Sequence, residues 1–147
     1  MTIKATICTI IAALLLFISP TQAEQLQGIK DVEVHYSAFN STFLTPKIAR
    51  TYDLQRNEYV ALLNITVLDN SQLGKPAVEA KISGQVTNLI GQIQPLEFRL
   101  IKEADAVYYI SAFDIDDQDT LRFEISIDAG LKGRGILKFH QQFYSEE

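Results

Sequence analysis

The chain carries one cysteine, Cys8, one methionine, Met1, and no tryptophan. A single thiol excludes a disulfide framework and a Cys-ligated metal centre, so any fold built from this sequence is held by packing alone. Positive charge is also in deficit, with 13 Lys and Arg against 18 Asp and Glu and a net charge of −5. The basic residues are scattered, and only Lys132-Gly133-Arg134 brings two together. Such a chain lacks the electrostatic footing for phosphate backbones or anionic membrane surfaces, and nucleic acid is excluded as a partner on that ground.

Long apolar runs are missing as well. A bilayer-spanning helix needs about 20 apolar residues, and the longest run here, Ile7 to Ile18, is well short of that. It follows Lys4 and is followed by Ser19-Pro20 and Thr21-Gln22-Ala23. A charged start, a short apolar middle, a helix break and a small residue define a secretory signal peptide over residues 1–23, with cleavage expected after Ala23. Cys8 lies inside the apolar run rather than at the junction, so no lipid-bearing N-terminal cysteine forms. Cleavage leaves residues 24–147 as a single domain with one core, without a membrane span. It also removes Lys4, Cys8 and Met1, which takes the net charge to −6.

What the remaining sequence has in abundance is period-two alternation bounded by turn residues, the pattern of half-buried strands. Seven strands are predicted. The first, Ile29 to Phe39, places Val32, Val34, Tyr36 and Ala38 on one face and Asp31, Glu33, His35 and Ser37 on the other. The second, Tyr59 to Leu68, is apolar on both faces except at Asn64 and Thr66 and reads as central. Asp69 to Pro76 is a turn by composition, which predicts a hairpin to the third strand beginning at Ala77. Pro95 to Glu103, Val107 to Ile115, Leu121 to Asp128 and Ile136 to Tyr144 supply the rest. Leu121, Phe123, Ile125 and Ile127 of the sixth face inward, as do Leu137, Phe139, Gln141 and Phe143 of the seventh.

One segment breaks the alternation. Thr45 is placed to cap a helix begun by Pro46, with Ile48 and Tyr52 on one face. Seven antiparallel strands, one short helix after the first strand, no long crossover and no Gly-rich phosphate loop predict an all-β, immunoglobulin-like two-sheet sandwich, with a closed barrel as the alternative. The stretch ahead of the helix, Asn40-Ser41-Thr42-Phe43-Leu44, has two readings. As a corner, Phe39 and Phe43 plug the open end of the sandwich, with Ile48 and Tyr52 closing over them. As a binding surface, Phe43 stands exposed beside Asn40.

Candidates for chemistry are few. His35 and His140 lie near the two ends of the domain, where both could occupy neighbouring sheet edges, yet two His without a third ligand at suitable spacing make a poor zinc site. Asp114, Asp116, Asp117 and Asp119 crowd six positions and suit a hard cation, but the EF-hand pattern fails, since Asp119 stands where Gly is required and Ile125 where Glu is required. A polar turn joining the fifth and sixth strands, kept in water by its charge, is the favoured reading over a metal site. Ser37, Ser41 and Thr42 near His35 lack a nucleophile elbow and a third triad member, so no catalytic residue is assigned. Asn40-Ser41-Thr42 and Asn64-Ile65-Thr66 fit the glycosylation sequon, a pattern short enough to recur by chance.

The runs "VHYSAFNSTFLTP" from Val34, Ile48 to Tyr52, "GKP" from Gly74, "NLIGQ" from Asn88, "LEFR" from Leu96, "VYYISAF" from Val107, "LRFEI" from Leu121 and "LKFHQQFY" from Leu137 span almost the whole mature chain. In them the sequence resembles the family named domain of unknown function four-four-two-six, small secreted proteins of gammaproteobacteria and their relatives. The resemblance implies a periplasmic location and a β-sandwich-like domain, and it brings no established activity or catalytic residue. The acidic run Asp114 to Asp119 is not part of the family pattern, which counts against a shared metal site.

Two functions are therefore expected to compete. The first is a non-enzymatic module binding a protein or peptide of the cell envelope through Asn40 to Leu44, with no cofactor. The second is a binder of a small molecule or divalent ion, or a weak enzyme, using His35, His140 and the Asp114 to Asp119 loop.

Overall fold

The structure, a computed structural model, describes residues 25–145. The predicted signal peptide, Glu24 and the Glu146–Glu147 tail lie outside the described residues. Among the described residues the elements run in the order β1 (Leu26–Ile29), β2 (Val32–Asn40), α1 (Pro46–Thr51), β3 (Val60–Asp69), β4 (Lys81–Thr87), β5 (Ile93–Leu96), β6 (Arg99–Glu103), β7 (Ala106–Asp114), β8 (Asp119–Asp128) and β9 (Arg134–Phe143). They form two antiparallel sheets, ordered β1-β2-β3-β7-β6 and β5-β4-β8-β9. The two-sheet sandwich expected from the alternation is present, and the closed barrel is not.

The core follows directly from the alternation. Val34 of β2, Leu63, Ile65 and Val67 of β3 and Phe113 of β7 are buried in the same cluster as Val86 of β4, Phe123, Ile125 and Ile127 of β8 and Leu137 and Phe143 of β9. Each such side chain contributes about 1.5–3 kcal/mol by leaving water. Aromatic rings join the two sheets, Phe113 meeting Phe123 edge-on at 5.3 Å and Phe143 at 5.4 Å, and within the four-stranded sheet Phe123 stacks on Phe139 at 4.3 Å. Such geometries add stabilisation beyond buried area.

Gly84 of β4 sits opposite Ile125 of β8, and no side chain fits there. A β-carbon would lie 2.6 Å from the Glu124 carbonyl oxygen and 3.0 Å from Ile125 Cα, both backbone atoms of a central strand. Gly84→Ala is expected to destabilise the fold by about 2–3 kcal/mol, as overpacking against backbone does, and a denaturant titration checks it.

Three expectations are corrected. β3 and β4 are not a hairpin, because β2 and β7 already occupy both sides of β3, and the chain crosses to the other sheet after a single bridge between Leu68 and Ala77. The stretch predicted as one strand from Pro95 to Glu103 is two, with Glu97 and Phe98 carrying the chain from β5 in one sheet to β6 in the other. An additional strand, β1, pairs Leu26 with His35 and Ile29 with Val32. The predicted seven strands are thus nine among the described residues.

Candidate functional site

Between β2 and β3 the chain leaves the sheet for residues 41–59 and folds over the outer face of the five-stranded sheet. The register places Arg99, Ile101 and Glu103 of β6 on that outer face, in line with Ser37, Asn64 and Ile110. Tyr52, at the end of α1, reaches them: its hydroxyl donates to Glu103 Oε2 at 2.6 Å, and Arg99 Nη2 donates to the Tyr52 carbonyl at 2.5 Å. The Glu103 carboxylate thereby holds the Tyr52 phenol above its ordinary value. Leu62, on the outer phase of β3, and Ala49 of α1 are buried, although neither belongs to the inter-sheet core.

Helix α1 starts as the sequence predicts. Thr45 has extended backbone and its Oγ1 accepts from the Ile48 N–H at 3.3 Å, and Pro46 occupies the first turn. Six residues are too few to stay helical alone in water, so the tertiary links are what maintain it. The same holds for the 3-10 turn Ser41–Phe43 just before it. Ser41 is buried; its Oγ donates to the Asn57 carbonyl and accepts from the Asn57 N–H, both at 2.9 Å. Asn40 continues the inward phase of β2 and closes the end of the sandwich, donating from Nδ2 to the Tyr144 carbonyl at 2.6 Å. Arg56 Nη2 donates to the Thr42 carbonyl at 3.3 Å.

On this fixed base Phe43 is 66% exposed. The corner reading of Phe43 and Phe39 is therefore corrected. Phe39 lies on the outer face opposite Leu62 and is half-buried, and Phe43 plugs nothing. Asn40 and Ser41 are framework, Thr42 and Leu44 are half-buried, and Phe43 is what this stretch presents to solvent. Ile48, Tyr59 and Tyr144 are also exposed at this end, and Lys47, Arg50 and Arg56 are exposed along the same excursion.

The remaining candidates are dispersed. His35 is on β2 opposite Thr66, whereas His140 is on β9 opposite Arg122, in the other sheet, so the two do not share neighbouring edges of one sheet. His140 borders a shallow polar groove of about 470 Å³ with Gln85, Thr87 and Arg122. His35 Nε2 lies 2.9 Å from Glu33 Oε1. Glu33 was predicted to be solvated, but its side chain is only 9% exposed and is paired with Lys75 at 2.9 Å. Lys75, then His35, hold the Glu33 carboxyl below the usual range. The sequence pattern missed this pair because the lysine comes from the distant Asp69–Pro76 connection.

Asp114 ends β7 and Asp119 begins β8, with Asp116 and Asp117 in the turn between. Asp117 Oδ1 accepts the Ser145 N–H at 3.2 Å, and the Asp114 N–H donates to Gln94 Oε1 at 2.7 Å. Asp114, Asp116 and Asp119 border an open cleft of about 550 Å³ that also includes Asn88, Gln92 and Gln94. Among the described residues no group of three or more His, Cys, Asp or Glu is placed to hold a metal ion. Nor is any helix among them long and apolar enough to cross a membrane.

Residues 26–146 match the domain of unknown function DUF4426. The chain belongs to the DUF4426 family. A crystal structure of a DUF4426 protein from Pseudomonas aeruginosa PAO1 is 32% identical, with a TM-score of 0.73 over 86% of this chain and 99% of that one. Beyond the family, the sandwich is similar to FetP of uropathogenic Escherichia coli strain F11, recombinantly expressed in the periplasm, at 12% identity and a TM-score of 0.57 over 85% and 96% of the two chains. A copper-bound variant of FetP matches at 13% identity and the same TM-score, over 84% and 97%. At such identities the likeness to FetP is one of fold. No curated protein matches the DUF4426 chain.

Proposed function

We propose that this DUF4426 protein is a non-enzymatic module of the bacterial cell envelope that binds a protein or peptide through the ledge around Phe43. In this reading residues 1–23 export it to the periplasm, cleavage follows Ala23, and residues 24–147 form one domain. The charged-apolar-small order of the N-terminus supports export, and the periplasmic expression of FetP, which shares the fold, agrees with it. The observation that carries the binding role is the exposure of Phe43 on a segment tied down at Asn40, Ser41, Thr45 and Tyr52. A large apolar side chain presented on a tied-down backbone costs little backbone ordering when a partner covers it, which is the character of an interface anchor.

Capture from envelope extract tests this. The wild-type protein is expected to enrich a partner that Phe43→Asp retains at least about tenfold less well. Because Phe43 is exposed, the variant should melt within about 2 °C of wild type. Equal capture by the two proteins contradicts the reading.

A further inference from the structure

We propose that β6 is the pairing edge of a two-fold homodimer of this chain. The two sheets have four edges, β1, β6, β5 and β9. β1 and β9 are turned toward each other and tied: Gln27 Nε2 donates to the Ile136 carbonyl at 3.2 Å, and Gln141 of β9 donates to the Ala38 carbonyl of β2 at 2.8 Å. β5 is four residues long and contains Pro95, which has no N–H to offer a neighbour. β6 has neither protection. It pairs only with β7, and among the described residues no backbone hydrogen bond of residues 99–103 goes outside that ladder.

Charged residues on an edge usually block further pairing. In β6 their order does the opposite. Read about Ile101, the outer-face residues Arg99, Ile101 and Glu103 are complementary to themselves under a two-fold axis, while Leu100 and Lys102 face the other side of the sheet. An antiparallel second copy places Arg99 opposite the partner's Glu103 and Glu103 opposite the partner's Arg99, with Ile101 meeting the partner's Ile101. This is the reciprocal contact that a two-fold interface requires. Both charged side chains share one face of the sheet and are already steadied by Tyr52. On the other face Leu100 is 46% exposed beside an open cleft of about 510 Å³ lined by Ala80 and Tyr109. A second copy covers it.

Sedimentation velocity over a concentration series of the exported protein tests the proposal. Wild type is expected to dimerise, and Arg99→Glu and Glu103→Arg, each facing a like charge across the axis, to weaken self-association at least about tenfold. Mixed together, these two variants are expected to regain a dimer, because every cross-axis pair is then of opposite sign. Thermal melts establish that each variant is folded. Should either reversal unfold the chain, Leu100→Lys, at an exposed position, gives the same reading by facing the partner's Lys102. A wild type that stays monomeric overturns the proposal, as do folded single variants that dimerise like wild type or a mixture that stays monomeric.

Discussion

Phe123→Ala is expected to cost about 3–5 kcal/mol, which places it among the most damaging single substitutions available in this chain. Phe123 is fully buried on β8, stacked on Phe139 of β9 and edge-on to Phe113 of the opposite sheet. Removing the ring opens a cavity beside Phe139 and Phe113 and breaks the aromatic contact that joins the sheets. Neighbouring strands cannot close the gap without shifting a ten-residue ladder between β8 and β9. The thermal midpoint should fall by roughly 10–20 °C, and a calorimetric scan reads it directly. Phe123→Leu keeps part of the volume and should recover about half of the loss.

The second large effect belongs to a charge. Asp69 ends β3 on the inward phase, opposite Val32, and its side chain is 1% exposed. Four donors meet it: the Ser71 N–H at 3.0 Å and Ser71 Oγ at 2.6 Å on one oxygen, Gln72 Nε2 at 2.7 Å and Lys132 Nζ on the other. Lys132, then Ser71, hold the carboxyl far below its ordinary range, against the opposing effect of burial. The same point ties three loops together. Asn70 N–H donates to the Asp31 carbonyl at 2.8 Å, Asp31 N–H to the Lys132 carbonyl at 2.9 Å, and Lys30 Nζ to the Leu131 carbonyl at 2.7 Å.

Asp69→Ala strips all four donors of their acceptor at once and is expected to lower the thermal midpoint by roughly 5–10 °C at neutral pH. The pH dependence has a definite sign. A carboxyl whose folded value lies below its unfolded value contributes stability that is fully present above the unfolded value and is lost as pH falls toward the folded one. Glu33, held down by Lys75 and His35, acts in the same direction. The wild-type midpoint should therefore drop as pH falls below about 4. Asp69→Asn, which cannot titrate, should show a shallower acid slope, and thermal melts from neutral to acid pH compare the two. Parallel slopes would mean that the Asp69 charge contributes nothing.

The strands were legible wherever one face is core and the other water. β8 is the clearest case, with Leu121, Phe123, Ile125 and Ile127 buried and the residues between them largely exposed. Helix α1 was legible from Thr45 and Pro46. Pairing was not, because composition marks Asp69–Pro76 as a turn without saying that both sides of β3 are already occupied. Nor does alternation reveal a change of sheet when the pattern runs on, as it does through Glu97 and Phe98. Of the candidate site, the sequence located the segment but not the roles within it. Hydrophobicity argues for burying Phe43, and only the links at Ser41, Asn57 and Tyr52, all distant in sequence from their partners or dependent on the fold, explain why it stands outside. Glu33 errs in the opposite sense: alternation put it in water, and the connection carrying Lys75 covers it.

The claim that Phe43 marks a docking surface is tested most directly inside the cell. A photo-crosslinking phenylalanine analogue placed at position 43 reports which molecule lies against it, and Leu131, 92% exposed in the β8–β9 connection at the other end of the sandwich, serves as the control position. The account predicts a discrete crosslinked product from position 43, to an envelope polypeptide, that position 131 does not give. Irradiation that yields no product at 43, or the same products at both positions, would contradict it.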